Sequence, residues 1–219
     1  MFQAIIFDFD GTILDTESVW YESYREALLE HRIELPLEVF AHGIGTYDDG
    51  MFRYIRERLP SEDAFEAVKT AANRLHRFKT ESLQPREGVV AYLEEAKRLG
   101  LKIGLATSSP LGWIEPFLAA HGLRGYFETL CTSDDVEKVK PDPALYRLAA
   151  ERLGVAPGNA VAFEDSANGA RSAVAAGVRC VVVPNPMTEA LLFERYDLRI
   201  AAFTEMPLRE LLAKLEEAR

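Results

Sequence analysis

Two aspartates one residue apart, Asp8 and Asp10, end an apolar run and precede Gly11 and Thr12 in "IIFDFDGTILDTE", residues 5–17. Further along, Thr107 and Ser108 follow the run in "IGLATSS", Lys140 stands in "KVKPDP", and a second acidic pair, Glu164 and Asp165, closes the run in "AFEDSANG". Brought together, four carboxylates would repel one another and take up protons unless a cation joined them. Carboxylates and a backbone carbonyl are hard oxygen ligands suited to Mg²⁺, which keeps waters and shares its shell with a phosphate. Hydroxyls and amides ahead of a helix, with the Lys140 ammonium beside them, suit an anion. A magnesium site made by Asp8, Asp10, Glu164 and Asp165 would then face a phosphate site made by Gly11, Thr107, Ser108 and Lys140, with a phosphoryl group between.

The aspartates can divide the labour. Asp8, at the end of the run, can attack phosphorus and form an aspartyl-phosphate, splitting one difficult displacement into two easier ones. Asp10 can give a proton to the leaving alcohol and later take one from the attacking water, a role typically worth about 10²- to 10⁴-fold. Lys140 and the metal would neutralise the charge that accumulates in transfer, and Gly11 would let the backbone turn tightly and approach the phosphate.

Such residues need a frame that collects them on one edge. Apolar runs at residues 3–7, 102–106, 129–131, 160–163 and 180–183, with a weaker one at 198–201, alternate with helical patterns at 88–99, 110–121, 141–153 and 167–176. The runs are apolar nearly throughout, as strands covered on both faces are. Strand and helix in alternation predict a parallel sheet, and in such sheets ligands bind beyond the carboxyl ends of the strands, where the polar residues above fall. The fold class expected is α/β, a three-layer Rossmann-like parallel sheet. Residues 16–81 break the alternation, offering only helical stretches at 18–31, 48–59 and 61–81. About 65 residues is too many for a crossover that needs a dozen, so the expected division is a core of residues 1–15 and 82–219 with an inserted helical cap at 16–81, hinged near 14–17 and 82–86.

Composition narrows the partners. The 219 residues include 48% hydrophobic residues, enough for a real core, and the formal net charge of −10 argues against a nucleic-acid or anionic-membrane surface. Cys131 and Cys180, the only cysteines, lie in apolar stretches outside any metal spacing and read as reduced core thiols. No stretch approaches the roughly 20 apolar residues of a membrane span, and the expectation is a soluble cytoplasmic protein, a monomer or weak dimer, acting on a small-molecule phosphomonoester.

Each motif alone has a plainer reading: DxD as a turn device, Thr107 and Ser108 as N-cap residues, Lys140 as a solvated lysine, Glu164 and Asp165 as helix-start acids. In order, with DxDGT at Asp8, Asp10, Gly11 and Thr12, a hydroxyl at Thr107, Lys140 before Pro141, and Glu164–Asp165, the chain resembles the haloacid dehalogenase-like hydrolase superfamily, in its phosphatase and phosphomutase branch with a helical cap. The resemblance spans nearly the whole chain. It implies a Rossmann-like core, an aspartyl-phosphate intermediate, Mg²⁺ held by Asp8, the Asp10 carbonyl and Asp165 with Glu164 directly or through water, and a cap that selects substrate. Dehalogenases of the superfamily lack the second aspartate, so Asp10 speaks against dehalogenation. The nearest group by resemblance contains β-phosphoglucomutase and phosphoglycolate or sugar-phosphate phosphatases. The mutase's cap arginine has no counterpart in "AHGIGTYDDG", where Gly43 is followed by Thr46 and Tyr47, and Trp20 stands where the mutase has a cap histidine. Both departures favour a hydrolase acting on a monophosphate over a mutase. A phospho-receiver switch also joins Mg²⁺ carboxylates, a hydroxyl and a lysine, but places its acid pair after the first strand and has no large insertion.

In the cap, Trp20, Tyr21, His42 and Tyr47 are candidates to face substrate; Trp20 and Tyr21 are expected rather to pack in the cap core or at its interface, His42 reads equally as an ordinary surface histidine, and no cap residue is assigned as catalytic. The helix at "LRELLAKLEEA" is expected to pack by one apolar stripe.

Overall fold

The computed structural model describes residues 1–44 and 50–218; Thr46 and Tyr47, and the first residues of the helix expected at 48–59, lie outside them. Strands β1 (Ala4–Phe7), β2 (Lys102–Ala106), β3 (Thr129–Cys131), β4 (Ala160–Glu164), β5 (Arg179–Val182) and β6 (Leu198–Arg199) form one sheet in the order β3-β2-β1-β4-β5-β6. All pairings are parallel, with Phe7 level with Leu105 on one side and with Phe163 on the other. The order reverses at β1, so Asp8 emerges at the crevice between outward-running halves, the place where open α/β sheets take ligands.

Alternation along the strands makes the layers. Ile5, Phe7, Ile103, Leu105, Val161 and Phe163 point to one face and pack with α5 (Val89–Arg98), α6 (Leu111–Ala120) and α9 (Leu208–Glu217). Ala4, Ile6, Ala106, Ala160, Ala162 and Cys180 point to the other, under α7 (Ala144–Leu153) and α8 (Ala167–Ala175). The small alanines let that second pair of helices sit close, while the first face is filled by rings: Phe7 stacks on Phe163 at 4.9 Å and Tyr92 meets Phe163 edge-on. Burying each large side chain of this kind contributes about 1.5–3 kcal/mol.

The insertion consists of α1 (Thr16–Leu28), α2 (Leu37–Ala41), α3 (Gly50–Arg56) and α4 (Glu62–Thr80). Asp15 caps α1 by accepting from the Ser18 amide, and Ser61 caps α4 by accepting from the Ala64 amide. These helices bury an apolar cluster of their own, including Tyr24, Leu28, Phe40, Ile55, Phe65 and Val68. The two connecting segments run side by side: Leu14 bridges to Pro85, and the Arg86 amide donates to the Ile13 carbonyl at 2.8 Å. Among the described residues no helix is long and apolar enough to cross a membrane.

Candidate active site

The end of β1, the loop ahead of α7 and the end of β4 bring Asp8, Lys140 and Glu164 together. Lys140 Nζ donates to Asp8 Oδ1 at 2.5 Å and to Glu164 Oε1 at 2.6 Å, and all three side chains are buried. The Tyr146 hydroxyl, from the first turn of α7, donates to the same Glu164 oxygen at 2.6 Å. Glu164 lies against the first turn of α8, where a Cβ at Gly169 would stand 1.9 Å from its Oε2. Only glycine leaves room there.

Asp165 is held from three directions. Thr12 Oγ1 donates to its Oδ1 at 3.3 Å and Asn185 Nδ2 to its Oδ2 at 2.8 Å, and Gly11, at φ +79°, passes so close that a Cβ would meet Oδ2 at 2.2 Å. The expected tight turn at Gly11 is present, but its room is taken up by Asp165 and Asn185, and its amide donates to the Leu14 carbonyl. Arg86 fixes this corner from behind, donating to the carbonyls of Gly11, Val183 and Pro184 at 2.6, 2.9 and 2.7 Å.

Asp10 has different neighbours. Thr16 Oγ1 and Trp113 Nε1 donate to its Oδ1 at 2.8 and 2.9 Å, and Ser109 Oγ donates to its Oδ2 at 2.6 Å. Asp8, Asp10, Thr107, Ser108, Asp165 and both Trp20 and Trp113 line one cavity of about 370 Å³, with Glu17 at its side. Thr107 is buried at the end of β2, its hydroxyl accepting from the Ser109 amide. The helix expected at 110–121 starts at Leu111, whose amide donates to Asp134, so that amide faces a carboxylate of the chain itself.

The electrostatics follow from packing acids in a closed space. Burial, opposed by Lys140 and reinforced by Glu164, pushes Asp8 up to about 7. Burial and the charges of Asp8, Glu164 and Glu17 hold Asp165 well above the usual carboxylate range, Arg86 opposing, and Glu17 is raised by burial and then by Asp10 and Asp8. For Lys140 burial works against the charge, yet Asp8 and Glu164 hold it above its ordinary range. Negative charge is in excess, as four converging carboxylates imply. Ligand oxygens of Asp8, Glu164 and Asp165 all lie within 4.8 Å of one another and all three residues are buried. An all-oxygen, negatively charged donor set fits a hard divalent cation.

Of the core residues singled out from the sequence, Asp8, Asp10, Thr107, Ser108 and Asp165 line the cavity, while Lys140 and Glu164 are buried beside Asp8 and Gly11 packs against Asp165. Sequence reasoning passed over Thr16, Trp113, Tyr146 and Asn185, whose polar atoms bond Asp10, Glu164 and Asp165. Trp20 and Tyr21 pack as expected: Trp20 stacks on His76 at 3.6 Å while also lining the cavity, and Tyr21 donates to the Leu35 carbonyl within the insertion. His42 is exposed and borders a separate depression beside Asn168 and Arg171.

A parallel sheet with a helical insertion after its first strand, and an acid-rimmed crevice at its reversal point, is the architecture of the haloacid dehalogenase-like hydrolases. The sequence profile of that family matches residues 5–183, and the chain belongs to it. It is 47% identical over 216 residues, 98% of each chain, to YhcW of Bacillus subtilis (strain 168), provisionally named a phosphatase. It is 33% identical over 180 residues to the phosphorylated carbohydrates phosphatase of Thermotoga maritima, covering 80% of this chain and 82% of that one. The crystal structure of CbbY from Rhodobacter sphaeroides in complex with xylulose-(1,5)bisphosphate superposes with a TM-score of 0.75 and 28% identity, over 94% of this chain and 96% of that one.

Proposed function

We propose that the chain is a Mg²⁺-dependent phosphatase of small phosphorylated carbohydrates that works through an aspartyl-phosphate on Asp8. The observation that carries this reading is the joint placement of Asp8, Asp10 and Thr107 on one cavity, with the buried Lys140 ion-paired to Asp8 behind it. An Asp8 oxygen attacks phosphorus and the bond to the leaving alcohol breaks, Asp10 giving that oxygen its proton. Water then attacks the aspartyl-phosphate, Asp10 takes the proton released, and the bond from phosphorus to Asp8 breaks to free inorganic phosphate. Thr107, Ser108 and Lys140 hold the phosphoryl oxygens throughout. Asp8, the Asp10 carbonyl and Asp165 would hold the cation, which when bound supplies positive charge to the phosphoryl oxygens. Glu164 Oε1 already accepts from Lys140 and Tyr146, which favours a water-mediated part for it.

In this reading residues 1–15 and 82–219 are the catalytic core, and residues 16–81 a cap whose separate apolar cluster supports its treatment as a unit. The carbohydrate class rests on the relatives' names and on the two indole rings lining the cavity. Two free, buried cysteines suit a reducing cytoplasm.

The test is phosphate release from a panel of sugar phosphates, phosphoglycolate and nucleotides, with and without Mg²⁺, for the protein and for Asp8→Asn. Release that depends on Mg²⁺ and is abolished in a folded Asp8→Asn protein is expected; retained turnover would sink the mechanism. Isomerisation of β-glucose 1-phosphate, assayed separately, would reassign the chain to the mutases.

A further inference from the structure

We propose that Trp113 is a positioning residue for Asp10, and that His76, carried by the insertion, holds Trp113 in place, so that the insertion helps to orient the acid/base group. The inference rests on the reading of Asp10 as that group.

Of the three donors on Asp10, two are hydroxyls that can rotate. The third, Trp113 Nε1 at 2.9 Å, is a donor only, fixed in the plane of its ring. It therefore sets the direction of the carboxylate more firmly than Thr16 or Ser109 can. Oδ1, facing an N–H that cannot turn to accept, is left as an acceptor. Oδ2 faces the Ser109 hydroxyl at 2.6 Å, a partner that can donate or accept and so fixes no direction.

The indole is itself held on two sides. Phe117, one turn along α6, meets it edge-on at 4.9 Å with planes 67° apart. On the other side the His76 ring from α4 lies at 5.2 Å, inclined 30°. His76 in turn stacks on Trp20 of α1 at 3.6 Å with planes 11° apart. The histidine is 2% exposed and its Nε2 makes no hydrogen bond. Burial lowers its pKa to about 4, so the ring sits neutral between two indoles as a spacer. Packing alone would account for the body of Trp113, which also touches the sheet's first apolar cluster. It does not account for an indole N–H aimed at a carboxylate 103 positions earlier in the chain.

The test compares kcat/KM for the fastest sugar phosphate of the panel with that for 4-nitrophenyl phosphate, whose nitrophenolate leaves without needing a proton. Asp10→Asn should lose far more on the sugar phosphate than on the aryl ester; equal losses, or none, would overturn the acid/base reading and this inference with it. Given that selectivity, Trp113→Phe should lose about tenfold on the sugar phosphate, the size of one hydrogen bond to a charged group, and little on the aryl ester. His76→Ala should shift the ratio the same way, and His76→Phe, which keeps the stack, should restore it. Trp113→Phe lowering both esters alike, or changing neither, would reduce Trp113 to packing. The two His76 variants decide the case if Trp113→Phe does not fold, since an unshifted ratio in His76→Ala would also overturn the proposal.

Discussion

Asp8 and Asp10 leave the same strand two residues apart and meet opposite surroundings. Asp8 points into a closed space where its partner is a buried ammonium, its neighbours are further carboxylates and its pKa is pushed to about 7. Asp10 is only half-buried and is held by neutral donors, two hydroxyls and an indole, from α1, α6 and the loop between them and the sheet. The first environment manages charge; the second manages direction. The core supplies Lys140 and Glu164 beside Asp8, with Glu17 of the insertion on the same cavity, whereas Thr16 on Asp10 and the His76 and Trp20 rings stacked behind Trp113 come from the insertion. In the proposed mechanism the group that attacks is thus surrounded by charges, and the group that moves protons is held by neutral donors at the seam.

Variants that break either side should show this contrast. The largest effect is expected on the Asp8 side: Lys140→Met leaves Asp8 and Glu164 buried without their cation, and removal of one partner of such a pair costs about 3–5 kcal/mol. Urea unfolding in the presence of a chelator measures it, and a loss below about 1 kcal/mol would show that the carboxylates there are already neutral. The second concerns the seam. Because the His76 pKa is held near 4 in the folded protein, against 6.5 when unfolded, only the unfolded chain takes up the proton as the pH falls between these values. Stability from this source is full above pH 6.5 and is lost on acidification down to about pH 4, by about 3 kcal/mol at most. The unfolding free energies of the protein and of His76→Phe should therefore diverge between neutral and mildly acid pH; parallel curves would mean that the ring is not enclosed between the indoles. The smallest effect is expected at Asn185, which donates to Asp165 and accepts from the Met187 and Thr188 amides. Asn185→Ala should raise the Mg²⁺ concentration for half-activation about 10- to 100-fold, as loss of a group that orients a metal ligand does. An unchanged value would place Asp165 outside the cation's shell.

The charge-managing side was legible in the sequence because strand ends collect it: β2 and β3 occupy the expected 102–106 and 129–131, and Asp8, Thr107, Lys140, Glu164 and Asp165 each follow an apolar run or precede a helix. Glu164 itself completes β4, one residue beyond the apolar run at 160–163. The direction-managing side was not legible. Trp113, near the start of an apolar helix, and His76, inside an amphipathic one, have sequence patterns indistinguishable from core positions; their meeting depends on how α4 comes to lie over α6. Short α2, five residues between Pro36 and a turn, offers too few positions for a helical period to register. The helix expected from residue 141 begins at Ala144, its amide donating to Asp142, because a turn intervenes after Lys140.

The bridge between Leu14 and Pro85, reinforced by Arg86, makes the chain leave and re-enter the sheet at nearly one point. Seen from the six strands, everything between is a loop whose ends already touch, so its length and content weigh little on whether the sheet can form. A different insertion joined at these two ends should therefore leave the strand register alone. The seam at Trp113 is the exception, because an insertion that lacks a ring at the place of His76 would leave the indole, and with it Asp10, unsteadied.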